Sequence, residues 1–588
     1  MNPKSLIKER SIEAIRNLFG VEIPAIEIQA TKDEFEGDYT LVVFPLVKEL
    51  RQKPEEIAVK IGEYLTRQEE FTSFNVIKGF LNFTLDHRLF IRALKTHYSD
   101  EDFGINTGKN TKKIMVEYSS PNTNKPIHLG HVRNNLLGSS LSNILKAAGN
   151  EVIKAQIIND RGIHICKSLL AWQKFGNGET PESSGMKGDH LVGKYYVIFD
   201  KEYQKEIAGL VSSGIDKEEA KKKASILMEA QEMLKKWEEG DTEVRRLWKE
   251  MNSWVYAGFE ETYKRLGVSF DVVQYESNTY ILGKDVIEEG VKKGVLFKKE
   301  DGSVWADLTA DGLDQKLLLR ADGTSVYMTQ DLGTAVERFT RFKLSELIYT
   351  VGNEQDYHFQ VLFLLLKKLG YSWADKLYHL SYGMVDLPGG KMKSREGTVV
   401  DADDLMEEMN LKAIEKTKEL GKLDGYTEAE KQQINEQIGQ GALKYFILKV
   451  DPKKKILFDP AESIDFNGNT GPFIQYTYAR TRSLLRKASQ QIIEITDREL
   501  NKAEKKVIIL LASFSEVIEK SASGLNPALV ANYVYDVVRE YNYFYQNYPI
   551  LKAEYESEKQ IRLAITQWTG NVIKNALKLL GIEAPERM

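Results

Sequence analysis

Apolar and polar positions change rhythm three times along the chain. The opening stretch, MNPKSLIKERSIEAIRNLF, is amphipathic at helical spacing and lacks the continuous apolar run of a secretory signal. Runs rich in β-branched and aromatic residues predict strands at 40–44 and 80–83. A stretch rich in Gly, Asn, Thr and Lys, 104–113, predicts a linker. From residue 113 short β-rich runs alternate with helical stretches: strands over 114–118, 152–158, 347–351 and 377–384, helices over 131–148 and 357–369. That alternation predicts a parallel sheet with crossover helices. Between its halves lies a charged helical segment, about 176–240, with runs such as KEEAKKKA. It predicts a surface insertion whose charges form a solvated face. Beyond Asp459-Pro460 the pattern is helical, with apolar side chains at Ile508, Leu511, Phe514 and Val517. This predicts a bundle of about 120 residues.

The fold class expected is therefore multidomain α/β. An α+β domain would span 1–110, a Rossmann-like parallel-sheet domain 111–460, and a helical bundle 461–588. A length of 588 residues agrees, since it suggests roughly three to five domains. Hydrophobic residues at 42% and charged residues at 28% exclude a fibrous or wholly disordered chain. No apolar run approaches the roughly 18 residues that a bilayer span requires, so no membrane partner is expected. The single cysteine, Cys166, excludes an internal disulfide and a thiolate zinc cluster. These features predict a cytoplasmic protein.

Charge changes the picture less than its distribution does. A net charge of −5 gives no overall field for nucleic acid. Residues 461–588 carry 16 Lys+Arg against 15 Asp+Glu, so any nucleic-acid contact must rest on local patches.

Two motifs carry chemistry. Ser119-Ser120-Pro121-Asn122-Thr123-Asn124-Lys125-Pro126-Ile127-His128-Leu129-Gly130-His131 follows a predicted strand and opens a predicted helix. Free N–H groups at such a helix start favour an anion. His128 and His131, three apart, share one face of the first turn, and Gly130 lets a nucleotide approach the backbone. Far downstream, Pro388-Gly389-Gly390-Lys391-Met392-Lys393-Ser394-Arg395-Glu396-Gly397 places three cations within five residues between glycines. Such a stretch can neutralise charge on a departing pyrophosphate.

Together HLGH and KMKSR resemble the paired HIGH and KMSKS motifs of the class I aminoacyl-tRNA synthetases. The second departs from the pattern: Lys393-Ser394 inverts the serine–lysine order and Arg395 stands for the final serine. VEYSSPNTNKPIHLGHVRNNLLG, Tyr327-Met328-Thr329-Gln330-Asp331, and Asn353-Glu354-Gln355-Asp356-Tyr357-His358 resemble the arginyl-tRNA synthetases in particular. So do Glu36-Gly37-Asp38-Tyr39 and Gly79-Phe80-Leu81-Asn82-Phe83 near the start, and Thr470-Gly471-Pro472-Phe473-Ile474-Gln475-Tyr476 near the end.

The resemblance implies ATP-dependent activation of L-arginine to arginyl-adenylate, then transfer to the terminal ribose of tRNA. It implies catalytic roles for His128, His131, Lys391, Lys393 and Arg395, and ATP contacts from Asn124, Gly130, Met392 and Ser394. The arginine site would comprise Glu117, Asn122, Tyr327, Asp331 and Gln355, and the tRNA-binding aromatics Phe473 and Tyr476. A planar, permanently charged guanidinium does call for a carboxylate among neutral acceptors. Magnesium would accompany ATP, no metal ligands are assigned, and the resemblance implies a monomer. A class I synthetase for another amino acid, or a non-catalytic tRNA-binding relative, remain alternative readings.

Overall fold

The computed structural model describes residues 3–588 apart from 33, 106–111, 387, 389–399, 422, 489–491 and 493. The amino-terminal region runs α1 (Pro3–Phe19), β1 (Ile28–Ala30), β2 (Tyr39–Val42), α2 (Phe44–Leu50), α3 (Pro54–Leu65), β3 (Phe71–Ile77), β4 (Phe80–Leu85) and α4 (His87–His97). Its strands form one antiparallel sheet in the order β1-β2-β4-β3. β2 stops at Val42 and Phe44 begins a helix instead of ending the strand as expected. The cause is Pro45, which has no N–H for a ladder and suits the first helical turn.

The central region begins β5 (Lys113–Glu117), α5 (Leu129–Ala147), β6 (Glu151–Ile158) and α6 (Ile163–Phe175). Five helices follow: α7 (Pro181–Ser184), α8 (Gly188–Ser212), α9 (Lys217–Lys223), α10 (Ser225–Glu239) and α11 (Thr242–Leu266). Next come β7 (Val272–Tyr275), α12 (Glu276–Thr279), α13 (Lys284–Lys292), β8 (Leu296–Lys298), β9 (Val304–Ala306) and β10 (Lys316–Leu319). The region closes with α14 (Tyr327–Phe342), β11 (Glu346–Gly352), α15 (Asp356–Lys368), β12 (Leu377–Tyr382) and β13 (Val385–Asp386).

Its main sheet is parallel throughout, in the order β12-β11-β5-β6-β7. β5 lies in the middle with Ile114, Met115 and Val116 all buried, as a strand covered on both faces requires. The chain winds one way from β5 to β7 and returns on the other side through β11. That reversal opens a crevice at the carboxyl ends of β5 and β11, where ligands of such sheets bind. Gly149, at φ 92, lets the chain leave α5 and enter β6 directly.

The charged insertion is more than a surface decoration. α8 buries Leu191, Val192, Tyr195 and Phe199, α10 buries Ile226, Ala230, Met233 and Trp237, and α6 and α8 pack together. The lysine-rich α9, with Ala220 its one buried residue, and the short α7, with none, match a solvated face. Amphipathic spacing hid this layer beneath its charge.

The remainder is helical: α16 (Ala402–Glu419), α17 (Glu428–Leu448), β14 (Ile456–Leu457), α18 (Pro460–Ser463), α19 (Gly471–Lys487), α20 (Lys502–Ala512), α21 (Phe514–Ser523), α22 (Ala528–Asn547) and α23 (Glu556–Leu579). Ile508, Leu511 and Phe514 are buried as their spacing predicts, though the helix breaks at Ser513. The bundle is docked onto both other regions. Asn571 and Asn575 donate to backbone oxygens of Tyr98 and Glu101 at 3.3 and 2.8 Å, and Ser140 Oγ donates to Leu579 O at 3.0 Å. No described helix is long and apolar enough to cross a membrane.

Candidate active site at the carboxyl edge of the parallel sheet

The loop after β5 is tied down before it reaches the histidine motif. Ser119 adopts φ 60 and its N–H donates to Asn134 Oδ1 at 2.6 Å. The backbone of Asn159, just past β6, bonds to Pro121 O and Thr123 N at 3.0 Å each, and Asn122 forms a bridge with Asn159. Asn124 is buried in the same loop. α5 then starts at Leu129 with His128 as its N-cap.

Each histidine ring satisfies one end of this turn. His128 Nδ1 accepts the Gly130 N–H at 3.2 Å, and His131 Nδ1 accepts the His128 N–H at 3.2 Å. A neutral imidazole that accepts at Nδ1 carries its proton on Nε2. Burial, then Lys125, depresses His128 to about 4 against an opposing pull from Asp401. Burial, then His128 and Lys125, holds His131 well below the ordinary histidine range. The ring centroids lie 3.8 Å apart. The helix therefore presents two neutral N–H donors beside the Lys125 ammonium, an arrangement suited to a polyanion.

A cavity of about 160 Å³ opens at the switch between β5 and β11. Glu117, Asp331 and Gln355 line it, so three of the five predicted arginine-site residues come together. Asp331 Oδ2 lies 2.6 Å from His358 Nε2, and its side chain is 43% exposed. Tyr327 stands one turn earlier on α14, on the same face as Asp331, but is 68% exposed and outside the lining. Asn122 also lies outside it.

Glu117 lines the cavity but already has a partner. Its carboxylate is committed to the fully buried Arg338, whose Nε also donates to Gln274 at 2.8 Å. That pairing, working against burial, keeps the Arg338 guanidinium firmly charged. The cavity's other carboxylate, Asp331, is paired instead with His358. Sequence reading missed Arg338, His358, Lys125 and the buried Glu276. The first was legible: residues 327, 331, 334 and 338 follow one helical face. Glu276 is raised to about 7 by burial, opposed by Arg161 and reinforced by Asp160 and Asp331.

Lys391, Met392, Lys393, Ser394 and Arg395 lie outside the described residues. The chain on either side of that segment is held by α5. Arg133 donates to Gly383 O, to Met384 O and Pro452 O at 3.1 Å each, and to Lys454 O at 2.8 Å. On the far side Leu129 N–H donates to Val400 O at 3.0 Å and Ala402 N–H to Ile127 O at 2.9 Å.

The two predicted tRNA-binding aromatics separate. Phe473 packs against Tyr535, ring centroids 6.3 Å apart. Tyr476 lines a groove of about 360 Å³ with Tyr426, Tyr545, Arg480, Arg486, Lys487 and Arg587. The Arg480 guanidinium sits over the rings of Tyr476 and Tyr545 at 4.9 and 5.0 Å.

Comparison with known proteins identifies the chain's relatives. A family model described as tRNA synthetases class I (R), catalytic domain, matches residues 95–459. Models described as DALR anticodon binding domain and arginyl tRNA synthetase N terminal domain match 474–588 and 5–85. The arginine–tRNA ligase of Bacteroides thetaiotaomicron is 58% identical over 586 residues, 98% of each chain. That of Flavobacterium psychrophilum is 57% identical over 588 residues, 98% of each. The arginyl-tRNA synthetase structure from Thermus thermophilus superposes with a TM-score of 0.82 at 25% identity, covering 100% of both chains.

Proposed function

The chain belongs to the arginyl-tRNA synthetase family, and from that premise we propose how its own residues divide the work. It is an ATP-dependent aminoacyl-tRNA ligase: arginine is activated to arginyl-adenylate with release of pyrophosphate, then transferred to the 3′-terminal ribose of tRNA. The observation that carries the assignment of residues is that the neutral histidine pair opening α5 follows β5, the strand whose last residue, Glu117, lines the Asp331 cavity.

In the first step the arginine α-carboxylate attacks the α-phosphorus of ATP. That carboxylate is ionised at neutral pH, so no general base is needed. His128 and His131 donate from Nε2 to the triphosphate as its charge shifts toward the leaving pyrophosphate, with Asn124 and Gly130 lining its approach. Lys391, Lys393 and Arg395 neutralise pyrophosphate, and Met392 and Ser394 complete the ATP contacts. Asp331, oriented by His358, receives the guanidinium; Tyr327, Gln355 and Asn122 supply neutral partners. Glu117 acts mainly by neutralising Arg338, which would otherwise repel a cationic substrate.

Magnesium would come with the triphosphate and offset its charge. Asp189, His190 and Asp403 have metal-like spacing, but the Lys187 ammonium pairs with both carboxylates, so this grouping does not suit a divalent ion. tRNA is bound by the amino-terminal domain, 1–110, and by the groove at Tyr476 in the bundle, 461–588, around the catalytic domain, 111–460. Phe473, packed against Tyr535, lies outside that groove's lining. The protein acts as a monomer in the cytoplasm.

The deciding experiment is amino-acid-dependent ATP–pyrophosphate exchange, run across all amino acids with and without tRNA. Arginine alone among them should support exchange, and only when tRNA is present. Exchange driven by another amino acid would overturn the arginine pocket. Robust exchange with arginine but no tRNA would remove only the dependence on tRNA.

A further inference from the structure

The strap of residues 400–402 is bound to the motif at 127–129 by the two backbone hydrogen bonds already described, with a bridge between His128 and Asp401. Whatever holds this strap therefore holds the backbone of His128. Asp401 faces two tasks. Its Oδ1 caps α16 by accepting the N–H groups of Asp403 at 2.8 Å and Asp404 at 3.3 Å. Its Oδ2 lies 3.2 Å from His190 Nε2, which also stands 3.4 Å from Asp403 Oδ2.

His190 belongs to α8, in the insertion whose charges the sequence reads as solvated. One turn earlier, at the N-cap of α8, Lys187 Nζ contacts Asp403, lies 3.3 Å from the buried Asp189, and donates to Thr262 Oγ1 at 2.6 Å. Thr262 Oγ1 in turn reaches Asp403 Oδ1 at 3.1 Å. Two cations of the insertion thus meet three carboxylates, two of them on the strap and the start of α16. Both sides register the pairing: Asp401, then Asp403, raise His190 to about 10, while His190 and Lys187 overcome burial and bring Asp403 down to about 2. The helix itself is pressed onto the motif loop. A Cβ on Gly193 would come within 2.9 Å of Pro126 Cδ, so only glycine admits this approach.

We propose that His190 and Lys187 are positioning residues for the ATP-handling turn, clamping Asp401 and Asp403 so that the strap 400–402 holds His128 and Leu129 in register. The insertion thereby acts as a strut for catalysis. This rests on the reading of His128 as a group that handles ATP. Neither cation touches substrate. Their effect passes through two backbone hydrogen bonds, which a loosened strap would lengthen, and small misplacements of reacting groups cost rate steeply.

The test uses the full chain with arginine and tRNA, reading kcat and KM in ATP–pyrophosphate exchange and amide hydrogen exchange at Leu129 and Ala402. His190→Ala should lower kcat about tenfold while the KM for arginine and for tRNA changes less than about twofold. The two amides should exchange at least about tenfold faster. His190→Lys, whose ammonium can reach both carboxylates, should restore most of kcat. Adding Asp403→Asn to His190→Ala should cost little more than the larger single change, because both break one clamp. His190→Gln, which keeps bulk but not charge, stands in if the alanine variant does not fold.

Unchanged amide exchange in a folded variant overturns the clamp. So does faster exchange with normal kcat, a loss in KM alone, or a kcat loss that lysine does not rescue. His128→Ala with undiminished exchange activity would sink the reading of His128 instead, and the amide measurement would still report on the strap.

Discussion

The cleft and the bundle groove contain the same cationic side chain in opposite settings. In the cleft Arg338 is buried and paired with Glu117, which leaves Asp331 as the other acid of the lining, with the buried Glu276 within its electrostatic reach. In the groove Arg480 is spread over Tyr476 and Tyr545, and Arg486, Lys487 and Arg587 line the same wall, with no Asp or Glu side chain among the described lining residues. On the proposed assignments the cleft cancels the charge it shares with a guanidinium and keeps an acid, while the groove offers cations and aromatic faces to RNA. The overall charge of −5 and the nearly neutral bundle conceal both. Function here depends on segregation of charge over a few side chains, not on net charge.

The largest effect should come from the cleft. His128→Asn retains a good helix N-cap but loses the Nε2–H donor, so kcat for exchange should fall about 10²–10³-fold with the melting temperature nearly unchanged. A matching loss of stability would make His128 a cap first and a catalyst second.

Next, Asp331→Asn turns the cavity's acidic edge into an amide whose donor faces another donor. The arginine KM should rise about 100-fold or more, about 2.7 kcal/mol, with the tRNA KM unchanged. A near-normal arginine KM would move guanidinium recognition away from this cavity and take Tyr327 and Gln355 with it.

The groove half of the comparison is tested by Tyr476→Ala. One aromatic stack is worth roughly 1–3 kcal/mol, so the tRNA KM should rise about tenfold while the arginine KM measured at saturating tRNA stays put. Because Tyr476 is half-buried, circular dichroism must show the variant folded. Simple unfolding would make the ring a packing residue.

The smallest effect concerns pH. Burial raises Glu276 to about 7, so it is neutral below that pH and anionic above it. A cationic ligand favours the anion, hence the arginine KM should fall about threefold as pH rises through 7, the consequence of a depression of about half a unit on binding. Glu276→Gln should flatten that profile. An unchanged slope would show that Glu276 does not sense the substrate.

The elements that position the site were readable in one dimension. β5, α5, β6, β11 and α15 appear where apolar runs and helical spacing place them, because a strand covered on both faces needs uninterrupted apolar side chains. His128 and His131 share a turn because their spacing of three admits nothing else in a helix. The amphipathic layer of the insertion was legible only in part, since a helix that is charged on one face can still bury the other. β2 ended early because local proline chemistry overrode a β-rich run.

Residue types and their local spacing are properties of the chain, so motif, helix and likeness to a family follow from the sequence by itself. Charge state and partnership are not. His128 is held neutral and His190 charged, although both are histidines, because one is desolvated beside a lysine and the other stands between two carboxylates from a helix more than 200 residues away. Glu117, expected to meet a substrate guanidinium, lines the cavity and already holds one from α14, 221 residues on. Electrostatic work falls off with distance in space and depends on the local dielectric, neither of which sequence separation encodes. Only the packed structure decided which acid faces the cavity, which cation is silenced and which remains to act.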